Sequence, residues 1–194
     1  VAAAPVGSLF GGILASAVGL RATLWCVGIA GLGLGAFMTG FSALREVRRQ
    51  ELLGLPPESS VAFVTGAQAG NTVGLAIGRN EVLARTGRDV ARDGLYGAPQ
   101  VRVVASEESH ATIDRALRLL GMGTASIHPV RAGGNGAIEV DHLEEVLAST
   151  AGAPTIVCLQ AGNVNTGACD DFVRAIPLAR RHDAWVHVDG AFGL

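Results

Sequence analysis

The stretch TIVCLQAGNVNTGACDDFVRAIPLARRHDAWVHVD, residues 155–189, decides the fold class. Its apolar run at 155–160 predicts a strand, the amphipathic segment 170–182 predicts a helix, and the apolar run at 185–188 predicts a second strand. A strand, a helix and a strand in this order are typical of a crossover unit that joins two parallel strands. One carboxylate, Asp189, follows the second strand directly.

The chain upstream repeats the same alternation. We predict strands at 61–65, 101–105 and 126–130 and helices at 68–86, 110–121 and 141–149. Alternating strands and helices predict an α/β domain with a mostly parallel sheet. Ligands of such sheets bind at the carboxyl ends of the strands, so we expect the functional residues in the loops that follow strands.

Composition limits the classes of function. The 194 residues are 49% apolar, enough for a sizeable core, and the net charge of −2 offers no basic surface for nucleic acid. The cysteines Cys26, Cys158 and Cys169 are far apart, which indicates reduced thiols in an intracellular setting and neither a disulfide framework nor a metal site. All 15 basic residues are arginine, so chemistry that needs a lysine amine cannot run on this chain alone.

Residues 1–44 have a different texture, because Arg21 is their only charge. The uncharged stretch 22–44 is long enough to cross a membrane, and the segment predicts an apolar helical hairpin of membrane-spanning length. A signal peptide and a buried soluble hairpin are the alternatives. The segment also resembles the last two spans of major-facilitator transporters. We take 45–60 as a linker and 61–194 as the second domain.

Two loops could face a flat, anionic ligand. The turn TGAQAGN, residues 65–71, opens a helix whose free N–H groups would hold a phosphate over Ala67 and Gln68. A plain tight turn would have the same composition. His110 begins the next predicted helix, where a neutral imidazole could stack on a ring. A solvated surface histidine is the alternative.

Two further strand ends carry polar groups. The loop after residue 160 presents Asn163, and Asp170 is predicted to cap the helix that follows. Asp189 leaves a strand that is apolar apart from His187, and a buried carboxylate is costly unless a cation or a hydrogen-bond donor faces it. A protonated pyridine nitrogen, an arginine or a helix N-terminus would each serve, and Asp189 alone does not choose among them.

Four segments together carry a family resemblance: FVTGAQAGN, SEESHATIDRALRLLGMG, GNVNTGACDDF and AWVHVDGAFG, in this order. From about residue 51 to 194 they resemble the pyridoxal-phosphate (PLP) enzymes of the aspartate-aminotransferase fold, and among these the group II amino-acid decarboxylases. The resemblance implies a PLP-binding large domain, an amino-acid substrate, decarboxylation, a cytoplasmic location and a homodimeric parent enzyme.

The resemblance also implies roles for single residues. His110 matches the histidine that stacks on the pyridine ring, and Asp189 matches the aspartate that pairs with the pyridinium nitrogen, so both are predicted catalytic residues. Other cofactor contacts are implied at Ala67, Gln68, Asn163 and Ala191. A carboxylate at the ring nitrogen keeps PLP protonated and electron-withdrawing, which stabilises the carbanion that decarboxylation leaves.

The chain departs from the family pattern in three places. It has GAQ where the phosphate turn often has serine or threonine, and GNV where GTT is common. The family's Schiff-base lysine follows the aspartate strand, and the sequence stops at Leu194 before that position. We therefore expect an incomplete PLP domain that binds PLP non-covalently at best. A non-catalytic membrane-anchored or fused protein, and an aminotransferase or sulfur-transfer relative, are the alternative functions.

Overall fold

A parallel sheet of four strands, in the order β2-β1-β3-β4, lies at the centre of the computed structural model, which describes residues 55, 56 and 58–193. The predicted hairpin at 1–44 falls outside the described residues. Within the described part of the chain, no helix is both long and apolar enough to cross a membrane. The chain divides into two compact units between Phe63 and Val64, and the sheet belongs to the second.

Helices alternate with the strands along the chain. The strands are β1 Arg102–Ser106, β2 Ile127–Val130, β3 Thr155–Gln160 and β4 Trp185–Asp189. The helices are α1 Ala67–Ala84, α2 Val90–Asp93, α3 Ala111–Leu119, α4 Val140–Ser149 and α5 Phe172–Arg181, with a 3-10 turn at Thr124–Ser126. The α/β fold with a parallel sheet is confirmed, and most predicted elements agree with the structure to within two residues.

Two local predictions are wrong. The segment 61–65 has no regular secondary structure, because its apolar side chains at Phe63 and Val64 are 55% and 44% exposed and gain no burial as a strand would. Asp171, not Asp170, caps α5, by accepting a hydrogen bond from the Arg174 N–H. The buried Asp170 carboxylate instead accepts from the N–H groups of Ile138 (2.8 Å) and Gln160 (2.7 Å) and so ties the loop before α4 to the end of β3.

Successive side chains of each strand point to opposite faces of the sheet, so the strands separate two apolar layers. Val103 and Ile156 face the layer that contains α1 and α3, whereas Val104 and Val157 face the layer that contains α4 and α5. All six residues of β3 are buried, because helices cover both faces of this central strand. The apolar runs that predicted the strands are therefore the middle layer of an α/β/α sandwich.

The order of the strands also creates a crevice. β2 pairs with one side of β1, and the chain then crosses to the other side of β1 to form β3. At such a topological switch point the loops after the two central strands diverge, which leaves room for a ligand at their carboxyl ends. The loops after β1 and β3 are therefore the place where this sheet can hold a ligand.

Helix α1 packs against β4 through a stripe of small side chains. Gly74 and Gly78 lie one helical turn apart, and the rings of His187 and Trp185 lie directly over them. A Cβ atom added at Gly74 would be 2.7 Å from the His187 ring, and one at Gly78 would be 2.6 Å from the Trp185 ring. Asn71, three residues before Gly74, extends the stripe. This spacing brings the helix close to the end of β4.

Replacing Gly78 with alanine should destabilise the protein. Alanine favours a helix over glycine by about 1 kcal/mol, but overpacking typically costs about 1–3 kcal/mol, and the clash with Trp185 should decide the sign. Gly70→Ala is the matched control on the same helix, because its added Cβ meets only Val64 at 3.7 Å and should stabilise α1. Urea unfolding measures both, and a stabilised Gly78→Ala variant would contradict the packing described.

Burial of His187 should make stability depend on pH. Loss of solvent lowers the pKa of this imidazole below its ordinary value of 6.5, although the neighbouring Asp189 opposes the shift. Between the lower pKa of the folded chain and about 6.5, His187 binds a proton in the unfolded chain but not in the folded chain. The free energy of unfolding should therefore fall as the pH decreases through this range.

The slope from this histidine can reach about 1.4 kcal/mol per pH unit. His187→Gln should remove that part of the slope. Some slope should remain, because burial and then Arg102 also lower the pKa of His128. Denaturant unfolding between about pH 5 and 8, the range in which histidines titrate, tests this. Identical slopes of the free energy of unfolding against pH in the two proteins would refute it.

Candidate active site

A small pocket lies at the carboxyl ends of β3 and β4, beside the crevice that the strand order creates. Its walls come from the start of α1, the start of α3, the ends of both strands and the segment after β4; they are Ala67, His110, Thr112, Gln160, Gly162, Val164, Asp189, Ala191 and Phe192. The pocket thus brings together four of the six predicted site residues. Its volume is about 50 Å³.

The first wall is the N-terminus of α1. Gly66 caps the helix without any side-chain hydrogen bond and has a φ of +150°, which side chains other than glycine rarely adopt. The first N–H groups of a helix have no partner within the helix, and together with the helix dipole they attract anions. Ala67 carries one of these groups to the edge of the pocket.

His110 forms the second wall and caps α3. Its Nδ1 atom accepts a hydrogen bond from the Thr112 N–H at 3.3 Å and lies 3.0 Å from the Thr112 hydroxyl oxygen. A nitrogen that accepts from an N–H carries no proton, so the ring proton is on Nε2. The imidazole is exposed but held in one orientation by this cap.

Asp189 is the acidic wall. Its Oδ2 atom accepts from the Asn71 side-chain N–H at 2.8 Å, and Oδ1 accepts from the Ala191 N–H at 3.2 Å. None of the ion pairs among the described residues involves this half-buried carboxylate. Its charge also acts on Cys158, whose thiol pKa is raised to about 12, mainly by burial and secondly by Asp189.

Asn71 links the acidic wall to the histidine wall. One N–H of its amide binds Asp189, and the amide nitrogen also lies 2.9 Å from the hydroxyl oxygen of Thr112, which in turn contacts His110. The Asn71 carbonyl oxygen lies 2.9 Å from Nε2 of His187. A carbonyl can only accept, so His187 carries its proton on Nε2.

The other two predicted site residues lie beside the pocket and do not line it. The Gln68 amide donates to the Thr112 carbonyl at 3.2 Å, and its buried Oε1 atom has no hydrogen-bond partner among residues 55, 56 and 58–193. The buried Asn163 stabilises its own loop by accepting from the N–H groups of Asn165 (2.9 Å) and Thr166 (3.2 Å). The neighbouring Val164 lines the pocket instead.

Sequence reasoning missed Asn71 and Thr112, which hold the walls in place. Thr112 lies two residues after His110, within the span of a local cap. Asn71 could have been noticed as the polar end of the stripe that continues through Gly74 and Gly78. Its partner Asp189, however, is 118 residues away in the sequence, so only the fold shows the contact.

The donors and acceptors of this site fit PLP. The start of α1 offers N–H groups to a phosphate, and the unpaired carboxylate of Asp189 favours a cation such as a pyridinium. The buried Oε1 of Gln68 is an acceptor that still needs a donor. The pocket is smaller than the cofactor, and its lining includes the exposed side chains of Val164 and Phe192.

Comparison with known proteins agrees with this site. Residues 49–193 match the pyridoxal-dependent decarboxylase conserved domain. The L-2,4-diaminobutyrate decarboxylase of Acinetobacter baumannii is 27% identical over 143 residues, which are 68% of this chain and 28% of that protein. The aromatic-L-amino-acid decarboxylase of Bacillus atrophaeus is 28% identical over 93% of this chain and 34% of its own length.

A solved structure shares the fold. The glutamate decarboxylase domain of a Vibrio parahaemolyticus diaminobutyrate–pyruvate transaminase and L-2,4-diaminobutyrate decarboxylase superposes with a TM-score of 0.73 at 28% identity, over 80% of this chain and 36% of that one.

The comparisons also bear on the extent of the chain. It spans about a third or less of the length of the two decarboxylases it matches. The Bacillus relative aligns with most of residues 1–44, and the transporter resemblance of that segment has no support. The match to the conserved domain covers well over half of the sequence, so the chain belongs to the pyridoxal-dependent decarboxylase family, whose cofactor is PLP.

Proposed function

We propose that this chain forms the PLP-binding part of an amino-acid decarboxylase. The observation that carries the proposal is one pocket with a helix N-terminus at one wall and, at another, the carboxylate of Asp189, which forms no ion pair with any residue that the structure describes. PLP needs this combination, because it carries a phosphate and a basic ring nitrogen. Family membership supports the same reading.

Each predicted residue has a defined task in this proposal. The N–H groups at Ala67 and Gln68 would hold the phosphate, and Asn163 stabilises the loop that carries Val164 to the pocket. His110 would hold the ring by stacking, and Asp189 would keep a proton on the ring nitrogen. Ala191 would contribute a wall beside the ring, and its N–H holds Asp189 in place. When bound, PLP supplies an electron sink for the carbanion that decarboxylation leaves.

The chain supplies no covalent anchor of its own, because it contains no lysine. Binding through its side chains is therefore non-covalent. The matched relatives are named for substrates as different as diaminobutyrate and aromatic amino acids, so the proposal extends to an amino acid and to no particular side chain. A homodimeric parent and a cytoplasmic location remain predictions of the resemblance.

PLP titration of the purified chain tests the proposal. We expect saturable binding, followed by absorbance and by quenching of protein fluorescence, and no adduct on any side chain after borohydride reduction. Asp189→Asn should weaken binding about tenfold, because the amide removes a charge-assisted contact to the ring nitrogen. Glu145→Gln is the matched control, since this carboxylate is exposed on α4.

Absence of saturable binding, or equal affinity of Asp189→Asn and the unaltered chain, would overturn the proposal. A competition series separates the phosphate from the ring. Inorganic phosphate should compete weakly with PLP, and pyridoxal without its phosphate should bind more weakly than PLP, because each lacks one of the two contacts.

A further inference from the structure

The Asn71 amide is fully engaged at the buried junction of α1, α3 and β4. Its two N–H groups serve Asp189 Oδ2 (2.8 Å) and Thr112 Oγ1 (2.9 Å), and its oxygen faces His187 Nε2 (2.9 Å). Only 4% of the residue is exposed. An amide can make about four hydrogen bonds, and here every N–H has an acceptor while the oxygen has a donor.

These partners allow only one orientation of the amide. If the group were turned by half a rotation, its oxygen would face the carboxylate of Asp189, and the two acceptors would repel each other. In the orientation that Asp189 selects, the Asn71 oxygen accepts from Nε2 of His187, so this histidine stabilises the same orientation. Asn71 thus points one donor at Asp189 and another at Thr112, next to His110.

We propose that Asn71, oriented by His187, is a positioning residue that sets the Asp189 carboxylate and, through Thr112, the His110 ring for the cofactor. The inference rests on the proposed function, because the two groups it positions are those assigned to the PLP ring. It goes beyond that function by naming residues of α1 and β4 that make no contact with the pocket themselves.

A merely structural role for Asn71 is the competing explanation. A buried amide with satisfied partners stabilises the junction whether or not a cofactor binds, and its loss would lower stability alone. The two explanations differ in what happens at the ring nitrogen. If Asn71 positions the Asp189 carboxylate, a change at Asn71 should let the ring nitrogen lose its proton at a lower pH. Loss of the hydrogen bond alone would make the carboxylate more basic and move this titration to a higher pH.

The first test uses PLP labelled with ¹⁵N in its ring. Asn71→Leu keeps the branched shape of the side chain and removes its hydrogen bonds. We expect the bound ring nitrogen to lose its proton at a pH lower by about one unit than in the unaltered chain, and PLP to bind about tenfold more weakly. Asn80→Ala is the matched control, because this amide lies on the same helix, is exposed and accepts hydrogen bonds from its neighbour Arg79.

The titration of the ring nitrogen must be distinguished from that of ionisable groups near Asp189. The groups that face Asp189 from the surrounding elements are His187 on β4, Cys158 on β3 and His110 at the start of α3. The ¹⁵N shifts of the histidine rings, recorded in the same samples, separate their titration from that of the cofactor.

A second pair of variants leaves Asn71 intact and covers the case in which Asn71→Leu does not fold. His187→Gln can still donate to the Asn71 oxygen, whereas His187→Phe fills the space beneath Gly74 without a donor. If Asn71 is a positioning residue, the ring nitrogen of PLP bound to the His187→Gln variant should titrate near the pH seen in the unaltered chain. In the His187→Phe variant the same nitrogen should titrate at a lower pH. Equal titrations in these two variants, or an unshifted titration in folded Asn71→Leu, would overturn the inference.

The chain without PLP separates this inference from the proposed function. If no PLP binds to the unaltered chain, the proposed function fails. The ¹⁵N spectrum of His187 still tests the network, because Nε2 must carry the proton in the unaltered chain. A proton on Nδ1 instead would refute the orientation of Asn71, and with it the positioning role.

Discussion

The close contact between α1 and β4 is the constraint on which the site depends. Glycines at 74 and 78 let the helix approach the rings of His187 and Trp185, and Asn71 reaches Asp189 as a consequence. A larger side chain at either glycine would separate the two elements. The helix N-terminus and the strand-end carboxylate could not then line the same pocket in the same geometry.

The order of the strands places that contact where a ligand can use it. Because β3 lies on the opposite side of β1 from β2, the loops after β1 and β3 separate and leave an opening above the sheet. The Glu108 carbonyl accepts from Gln160, which connects the two loops across the opening. Asp170 holds the far side of the β3 end through two backbone N–H groups. The pocket is thus built from loops that are themselves hydrogen-bonded to the sheet.

Hydrogen bonds and burial give the two predicted catalytic residues different surroundings. His110 accepts from a backbone N–H, which holds its flat ring in one orientation, whereas no ion pair among the described residues involves the Asp189 carboxylate. Burial raises the pKa of the nearby Cys158 thiol and lowers that of His187, so both are neutral at about pH 7. A cationic ring in the pocket would therefore meet a carboxylate that has no competing ion pair from those residues.

The sequence by itself determined the parallel α/β architecture and the positions of His110 and Asp189 at strand ends, because both follow from local patterns of apolar residues. It failed at 61–65, where an apolar run gains no burial, and at Asp170, whose partners Ile138 and Gln160 are set by tertiary contacts. Only the tertiary structure decided that Asn71 donates a hydrogen bond to Asp189. Hydrogen bonds between side chains distant in sequence leave no periodic pattern, since they depend on how closely a helix can approach a strand.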